Sequence, residues 1–402
     1  MTRIASVRLR KIYDSRGRET IEAWVTSASG ARGRAGAPSG ESTGSHEVRP
    51  FPPGGVAEVL NAYASRLSDR LQREEVTDQA AVDRALHEVD GTPDFSRLGG
   101  NTATAVSVAT ALTAANERGR PLWQIEGPPQ KAPDRFPAIV GNCLNGGRHA
   151  IGGPDIQEFL ALASGKRPED SIRAALQVHR AIGEELHRRF PKAALGRGDE
   201  GGWVASVGNT DALGILADAC AAARDATQVE VFPGVDLAAS ELYRDGRYRY
   251  REQTMDAQGQ LGFVADLVDK YDLRYVEDPF DQEAFSDFAA LTKAVGKRTL
   301  IVGDDLYATS AQRLERGVQS NASNAVLVKI NQVGTVSDAR ATVDLARKHR
   351  IETVTSHRSG DLPEGWLAHF AVAFGSIGMK CGLLGGERVA KLNELLRLGA
   401  PA

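Results

Sequence analysis

Five short apolar runs in the second part of the chain each close on a polar residue, and the closing residues recur at nearly one interval. The runs are VEVFPGVD, LRYVEDP, TLIVGDD, NAVLVKIN and IETVTSHRS, and they close on Asp236, Glu277, Asp304, Lys329 and His357. These residues lie 41, 27, 25 and 28 positions apart. Stretches with helical periodicity separate them: LGFVADLVDKY, EAFSDFAALTKAVG, SAQRLERGVQS and TVSDARATVDLARKH. Strand, loop, helix and loop together take roughly 25–30 residues, and eight such units close a β/α barrel in about 250. From Pro137 to the last residue there are 266. The pattern predicts an α/β chain whose residues 137–402 form a β/α barrel. Its site should lie at the carboxyl ends of the strands, where the five polar residues fall.

The first part reads differently. IASVRLRKIYD alternates as a strand, and ETIEAWVTSASGARGRAGAP reads as strand, Gly-rich turn and strand. GGVAEVLNAYASRLSDRLQ and TDQAAVDRALHEVDG read as helices. NTATAVSVATALTAANERG reads as an amphipathic helix of small residues capped by Asn101 or Thr102. The stretch EGPPQKAPDRFP, 126–137, holds four prolines and little that suits a core. The boundary is placed there, which makes residues 1–126 a smaller α+β domain.

A net charge of −3 gives no ground for nucleic acid or an anionic membrane as a partner, so an anionic substrate must meet a local cluster of bases. Three cysteines without metal-ligand spacing fit a reducing compartment. No apolar run has the length of a membrane span or a signal peptide, so a cytoplasmic protein is expected.

If the barrel closes, Asp236, Glu277 and Asp304 converge from successive strand ends. A lone acid of this kind is ordinarily a surface ion pair or a helix cap. Three ionised carboxylates gathered in one small volume need a cation, and an all-oxygen ligand set suits Mg²⁺. Lys329 closes the next strand, where neighbouring cations would disfavour its ammonium and make it a candidate base. Asp304 and Asp305 are adjacent, and one is expected to take the metal while the other caps the following helix or bonds backbone. Asp304 is assigned to the metal.

The motifs narrow this further. In order along the chain they are DSRG at Asp14, PSGESTG at Pro38, NGGRHA at Asn145, QEF at Gln157, GDEGGW at Gly198 and VEDP at Val276. GDDL at Gly303, LVKINQVGT at Leu327, SHRSG at Ser356 and ERVAKLNELLR at Glu387 follow. In these motifs the sequence resembles the enolase (phosphopyruvate hydratase) family over nearly its whole length. The resemblance implies an enolase-type β/α barrel preceded by a smaller α+β amino-terminal capping domain. It implies a Mg²⁺-dependent lyase that dehydrates 2-phosphoglycerate to phosphoenolpyruvate, with two Mg²⁺ per site. Asp236, Glu277 and Asp304 would hold the first ion, and Ser42 would help hold the second. Lys329 would remove the proton beside the substrate carboxylate, and Glu200, assisted by Glu158, would help the hydroxide leave. Among other acids, Glu200 is expected to stay protonated. Arg358 and Ser359 would bind the phosphate, His149, Gln157 and His357 would line the pocket, and Lys380 would reach the substrate carboxylate. A lysine base beside one or two Mg²⁺ is a general property of enolase-superfamily sites and not a deduction from spacing. The family also implies a homodimer, or a higher oligomer, with Glu22 and Arg397 in a cross-subunit ion pair.

The departures from the family pattern cluster near the expected site. RET follows DSRG where NPT is usual, and Glu41 stands where a small residue is typical. VRPFPPGG replaces a charged stretch, DLPEG replaces ETED after SHRSG, and CGLLGGER replaces an Arg-Ser-Glu-Arg ending. They leave open an alternative, a specialised enolase-like enzyme of phosphonate antibiotic biosynthesis resembling carboxyphosphonoenolpyruvate synthase. A non-catalytic binding protein on the same fold is a third reading, opposed by the retained like charges.

Overall fold

The computed structural model describes residues 2–40, 44–125 and 135–400. Alternation in the first stretch produces the antiparallel sheet β1 (Ile4–Tyr13), β2 (Glu19–Ser27) and β3 (Arg32–Gly36). Asp14 builds the β1–β2 turn, its carboxylate accepting the N–H groups of Arg16 at 2.8 Å and Arg18 at 2.9 Å. The next helical stretch is two helices, α1 (Gly55–Ala62) and α2 (Ala64–Leu71), that meet at Tyr63. α3 (Gln79–Asp90) begins where the Asp78 side chain accepts the Ala81 N–H and ends on left-handed Gly91.

The helix α4 (Gly100–Glu117) departs from expectation in two respects. Its cap is Gly99, and Asn101 instead donates from Nδ2 to Ser39 Oγ at 2.8 Å. It is also buried on nearly every side and is not an amphipathic surface helix. The sheet covers one flank and the barrel the other. Thr104 Oγ1 donates to Gly334 O at 3.0 Å, and Val336 N donates to Ser107 Oγ at 2.9 Å. Only small side chains fit between two such layers. On β3 a methyl added to Gly33 would lie 2.3 Å from Ala109 O and 2.5 Å from Thr113 N, so the helix backbone rests directly on the strand.

The second part opens with β4 (Ala138–Asn145), β5 (Glu158–Ser164) and α5 (Pro168–Arg189). A small hairpin of β6 (Gly196–Arg197) and β7 (Trp203–Val204) leads to α6 (Asn209–Thr227) and β8 (Glu230–Asp236). The three short strands β9 (Tyr243–Arg244), β10 (Arg247–Arg249) and β11 (Thr254–Met255) form a separate sheet before α7 (Ala257–Tyr271). That insertion explains why the first of the regular intervals is the longest. Then the repeat runs β12 (Tyr275–Glu277), α8 (Phe285–Val295), β13 (Leu300–Gly303), α9 (Ala311–Ser320) and β14 (Ala325–Val328). It ends with α10 (Ile330–Val333), α11 (Val336–Lys348), β15 (Glu352–Ser356), α12 (Trp366–Ala373), β16 (Gly378–Gly382) and α13 (Gly386–Leu398).

Eight strands close a barrel in the order β4–β5–β8–β12–β13–β14–β15–β16, with β16 pairing back to β4. Seven of the strands run parallel. The exception is β5, antiparallel to both neighbours, because the link 146–157 holds no α-helix to carry the chain back across the barrel. β5 therefore presents its first residue, Glu158, at the barrel end where the other strands present their last. No helix among the described residues is long and apolar enough to cross a membrane.

The first sheet docks on the barrel through the segment after β15. Ser39 and Gly360 exchange backbone hydrogen bonds of 2.7 and 2.8 Å, and Ser15 N donates to Asp361 O at 2.9 Å. Gly36 N donates to the Glu364 carboxylate at 3.1 Å. Asp361 is held from the other side by α13, 3.1 Å from Arg388 Nη1 and 3.0 Å from Lys391 Nζ, with all three side chains at most 3% exposed. Burial alone would raise the Asp361 pKa, but Lys391 and Arg388 hold it below the ordinary carboxyl value.

Three substitutions test this packing. Gly33→Ala should destabilise the protein by roughly 1–3 kcal/mol in urea unfolding. Gly214→Ala in α6, where an added methyl meets nothing within 4 Å, should stabilise it by about 0.5–1 kcal/mol. Asp361→Asn removes the carboxylate shared by two buried cations and should cost about 3–5 kcal/mol at pH 7. Because the folded pKa is depressed, this contribution is present above the unfolded value and is lost as pH falls through the folded one. The gap between wild type and variant should therefore narrow below about pH 4. A gap that stays constant on acidification would contradict the ion-pair account.

Candidate active site

The register of the barrel decides which acids meet. β8 and β12 pair Asp236 with Glu277, and antiparallel β5 pairs Glu158 with Asp236. The three carboxylates surround one ammonium from β16. Lys380 Nζ lies 3.0 Å from Asp236 Oδ2, 2.8 Å from Glu277 Oε1 and 3.0 Å from Glu158 Oε2. Burial disfavours that ammonium, yet Asp236, Glu158 and Glu277 raise its pKa well above the usual lysine value. Glu277 is pushed well above the carboxylate range by burial and by Asp236, while Tyr275 donates its hydroxyl to Glu277 Oε2 at 2.6 Å. The donors around Lys380 are all carboxylate oxygens, a donor set that would suit a hard divalent ion.

The adjacent acids after β13 divide their work with a third. Asp278, at φ 40°, turns its carboxylate onto the backbone of the pair and accepts the N–H groups of Asp304 at 3.0 Å and Asp305 at 2.7 Å. Asp304 then points inward to Lys329 Nζ and to Gln332 Nε2, the latter at 2.9 Å. The helix-capping or backbone-bonding role expected of the second acid falls to other residues. Ser310 caps α9, and Asp278 bonds the backbone. Burial and Asp304 push the Asp305 carboxyl up to about 8. Burial works against the charge on Lys329, but Asp304 keeps it an ammonium.

Across the cavity, Glu200 sits in the turn between β6 and β7. Asn142 Nδ2 donates to its Oε2 at 3.2 Å, and His357 Nε2 stands 3.0 Å from the same oxygen. The tautomer of His357 follows from its other side. Arg388 Nη1 lies 2.7 Å from His357 Nδ1, and a guanidinium only donates, so Nδ1 accepts and Nε2–H donates to Glu200. Arg388 is fully buried and also donates to the carbonyls of Arg358 and Ser359 at 2.6 Å and of Asp199 at 3.0 Å. From α13 it ties together two loops that carry the site, the segment after β15 and the β6–β7 turn. Burial pushes His357 down to about 4, against the pull of Glu200.

The surroundings push Glu200 the opposite way from the expectation that it stays protonated. Burial would raise its pKa, but His357, His149 and Arg388 bring it well below the ordinary value. The raised carboxyl is Glu158, through burial and the charge of Glu200. The surroundings thus push the two carboxyls in opposite directions, Glu158 up and Glu200 down. His149 Nδ1 lies 3.4 Å from Glu158 Oε1, too poorly placed for a hydrogen bond, and its Nε2 is unpartnered among the described residues. Burial favours a neutral ring, but Glu200, Glu158 and Asp236 raise it to about 9.

Arg358 follows β15 and is buried, its Nη1 and Nη2 gripping both oxygens of Glu47 at 2.9 and 3.1 Å. Asn331 Oδ1 accepts from Nη1 at 3.1 Å. Ser359 and Gln157 are buried at the same barrel end, and Gln157 N donates to Asp236 O at 3.1 Å. Every anticipated site residue except Glu277 and Ser42 lines one cavity, together with Ser356. Glu277 lies just behind it, against Lys380. Ser42 and Glu41 lie outside the described residues.

Sequence reading missed Asp278, Glu47, Gln332, Asn142 and Arg388. VEDP and GGER offered signals for two of them, a second acid beside Glu277 and an arginine beside the substituted ending. The substituted DLPEG segment supplies Asp361 and Glu364 to the joint between sheet and barrel, and its side chains do not line the cavity. Glu22 and Arg397 have partners within the chain. Glu22 lies 2.5 Å from Arg10 and 3.5 Å from Arg34, and Arg397 lies 2.5 Å from Glu394.

Comparison with known proteins agrees with this geometry. The family model described as "Enolase, N-terminal domain" matches residues 4–125, and "Enolase, C-terminal TIM barrel domain" matches residues 134–400. The enolase of Natronomonas pharaonis is 45% identical over 405 residues, covering 100% of both chains. That of Methanothermobacter thermautotrophicus is 44% identical over 401 residues, covering 98% of this chain and 96% of its own. That of Picrophilus torridus is 39% identical over 395 residues, covering 98% of each. The chain belongs to the enolase family, as a phosphopyruvate hydratase-type carbon–oxygen lyase.

Proposed function

We propose that the protein dehydrates 2-phosphoglycerate to phosphoenolpyruvate, with Lys329 as base and the Glu158–Glu200 pair as acid. The observation that carries this reading is strand order. β14, which precedes Lys329, and β5, which begins at Glu158, are four places apart in a ring of eight, so base and acid reach the cavity from opposite sides. Removing a proton from one face of a substrate and a hydroxide from the other needs that placement. The C2–H bond gives its proton to the Lys329 amine and its electrons to the carboxylate-stabilised intermediate. Those electrons then form the C2–C3 double bond, while the C3 hydroxide takes a proton from the carboxyl pair and departs as water. Lys329 accepts a proton only when Asp304 no longer holds it as an ammonium.

Enolases generally use Mg²⁺, and Asp236, Glu277 and Asp304 are the residues that would hold the first ion, with Ser42 contributing to a second. When bound, such ions stabilise the negative charge that develops on the substrate carboxylate. Lys380 would bind those same oxygens once it leaves the acids it now pairs with. Arg358 and Ser359 would take the phosphate, and His149, Gln157 and His357 would line the substrate. Proton transfer by a positioned residue contributes typically about 10²–10⁴-fold, which sets the scale expected for loss of either partner.

The three thiols Cys143, Cys220 and Cys381 are buried and free, which supports a reducing, cytoplasmic setting. A homodimer through the first sheet, on whose outer face Trp24 is exposed, is part of the same reading.

Purified protein with Mg²⁺ should convert 2-phosphoglycerate to phosphoenolpyruvate, followed by its absorbance. Lys329→Ala should slow exchange of the C2 proton with solvent deuterium by roughly 10²–10⁴-fold. No phosphoenolpyruvate from the wild type would contradict the substrate assignment. Exchange at the wild-type rate in Lys329→Ala would place the base elsewhere.

A further inference from the structure

Glu47 belongs to the first part of the chain, yet its carboxylate lies in the barrel site with its side chain 6% exposed. Both of its oxygens are gripped by Arg358, in the two-point geometry with which a guanidinium also binds phosphate. Oε1 further accepts the Gly44 N–H at 3.1 Å and the Gln332 amide at 3.3 Å. The other sides of the two terminal nitrogens are crowded. Asn331 takes part of Nη1, and the Gly40 backbone is so near that an added methyl would lie 1.9 Å from Nη2. A phosphoryl group that takes the same two-point grip on Nη1 and Nη2 must therefore replace Glu47. The exchange breaks the Glu47 bonds to Arg358, Gly44 and Gln332. The backbone beside Glu47 is held independently, since Val48 N donates to Gln332 O at 3.0 Å and Glu47 N to Gly44 O at 3.1 Å. Only the side chain has to move.

We propose that Glu47 is a specificity-determining competitor for the Arg358 fork, a built-in carboxylate that a substrate phosphoryl dianion displaces and that weaker monoanions do not. The proposal rests on the assignment of Arg358 to the phosphate. A carboxylate on the fork neutralises the guanidinium and fills its paired donors, so an incoming anion must outcompete it. A dianion with three acceptor oxygens does so, and a single carboxylate gains nothing by the exchange. On displacement Glu47 also releases the Gly44 N–H, which gives the exchange a signature remote from the ligand.

The test is binding of inorganic phosphate and of acetate, each alone, by calorimetry to wild type, Glu47→Gln, Glu47→Asp and Arg358→Met. Removing the competing charge should tighten phosphate binding by about tenfold or more, and acetate should become a measurable ligand. Glu47→Asp keeps the charge on a shorter arm and should fall between. In the wild type, phosphate should speed hydrogen exchange at the Gly44 amide. Phosphate binding that is unchanged or weaker in Glu47→Gln would overturn the proposal, since Glu47 would then only prop Arg358. So would a Gly44 amide that phosphate leaves as protected as before. If Arg358→Met binds phosphate as the wild type does, the assignment of the fork fails and the proposal with it. If Glu47→Gln gains phosphate affinity while the wild type forms no phosphoenolpyruvate, the competition stands and the substrate reading fails.

Discussion

The buried ammonium of Lys380 is what allows Asp236, Glu277 and Glu158 to share one end of the barrel. Like charges about 4 Å apart at an effective dielectric near 20 repel by roughly 4 kcal/mol, a large fraction of the stability of an ordinary domain. A fold does not gather such groups for its own stability. Removing one partner from a buried pair is costly, whereas an apolar replacement of the whole cluster is often neutral. The acids are placed by strand register, β8 against β12 and β5 against β8, so they cannot separate without opening the barrel. The balance of charge is left to whatever cation is present, and in this structure that is lysine. Lys329 plays the same part for Asp304.

A second constraint is Arg388, which orders the opposite wall. It fixes the tautomer of His357, and through it the hydrogen bond to Glu200. It also joins Asp361, and so connects the geometry of the acid pair to the docking of the first sheet. The segment after β15 thus serves two purposes. Its first residues face the cavity, and the next ones hold the two parts of the chain together.

Much of this was legible in the sequence because it depends on periodicity. Strand ends that recur about every 27 residues specify a barrel and, with it, which end carries the chemistry. Asp236 and Glu277 are the last residues of their strands, and Asp304, Lys329 and His357 follow theirs directly. The direction of β5 was not legible, since a strand reads the same both ways. Glu158 reached the list by its motif and not by its position at a strand start. The direction in which Glu200 is shifted was not legible because its surroundings come from distant segments, with His357, His149 and Arg388 outweighing burial. Asp278 and Glu47 were missed for a related reason. Each acts on a group far away in sequence, Asp278 on the backbone of Asp304 and Glu47 on Arg358.

The central claim is that the acids at the barrel end form a cation site and not a structural ion-pair cluster. Thermal unfolding of metal-stripped protein against increasing Mg²⁺ tests it directly, because a ligand bound only by the folded state raises Tm with concentration. The account predicts a Tm that climbs steadily with Mg²⁺ in the wild type and stays flat in Asp304→Asn. A wild-type Tm indifferent to Mg²⁺, or an equal rise in both proteins, would contradict it.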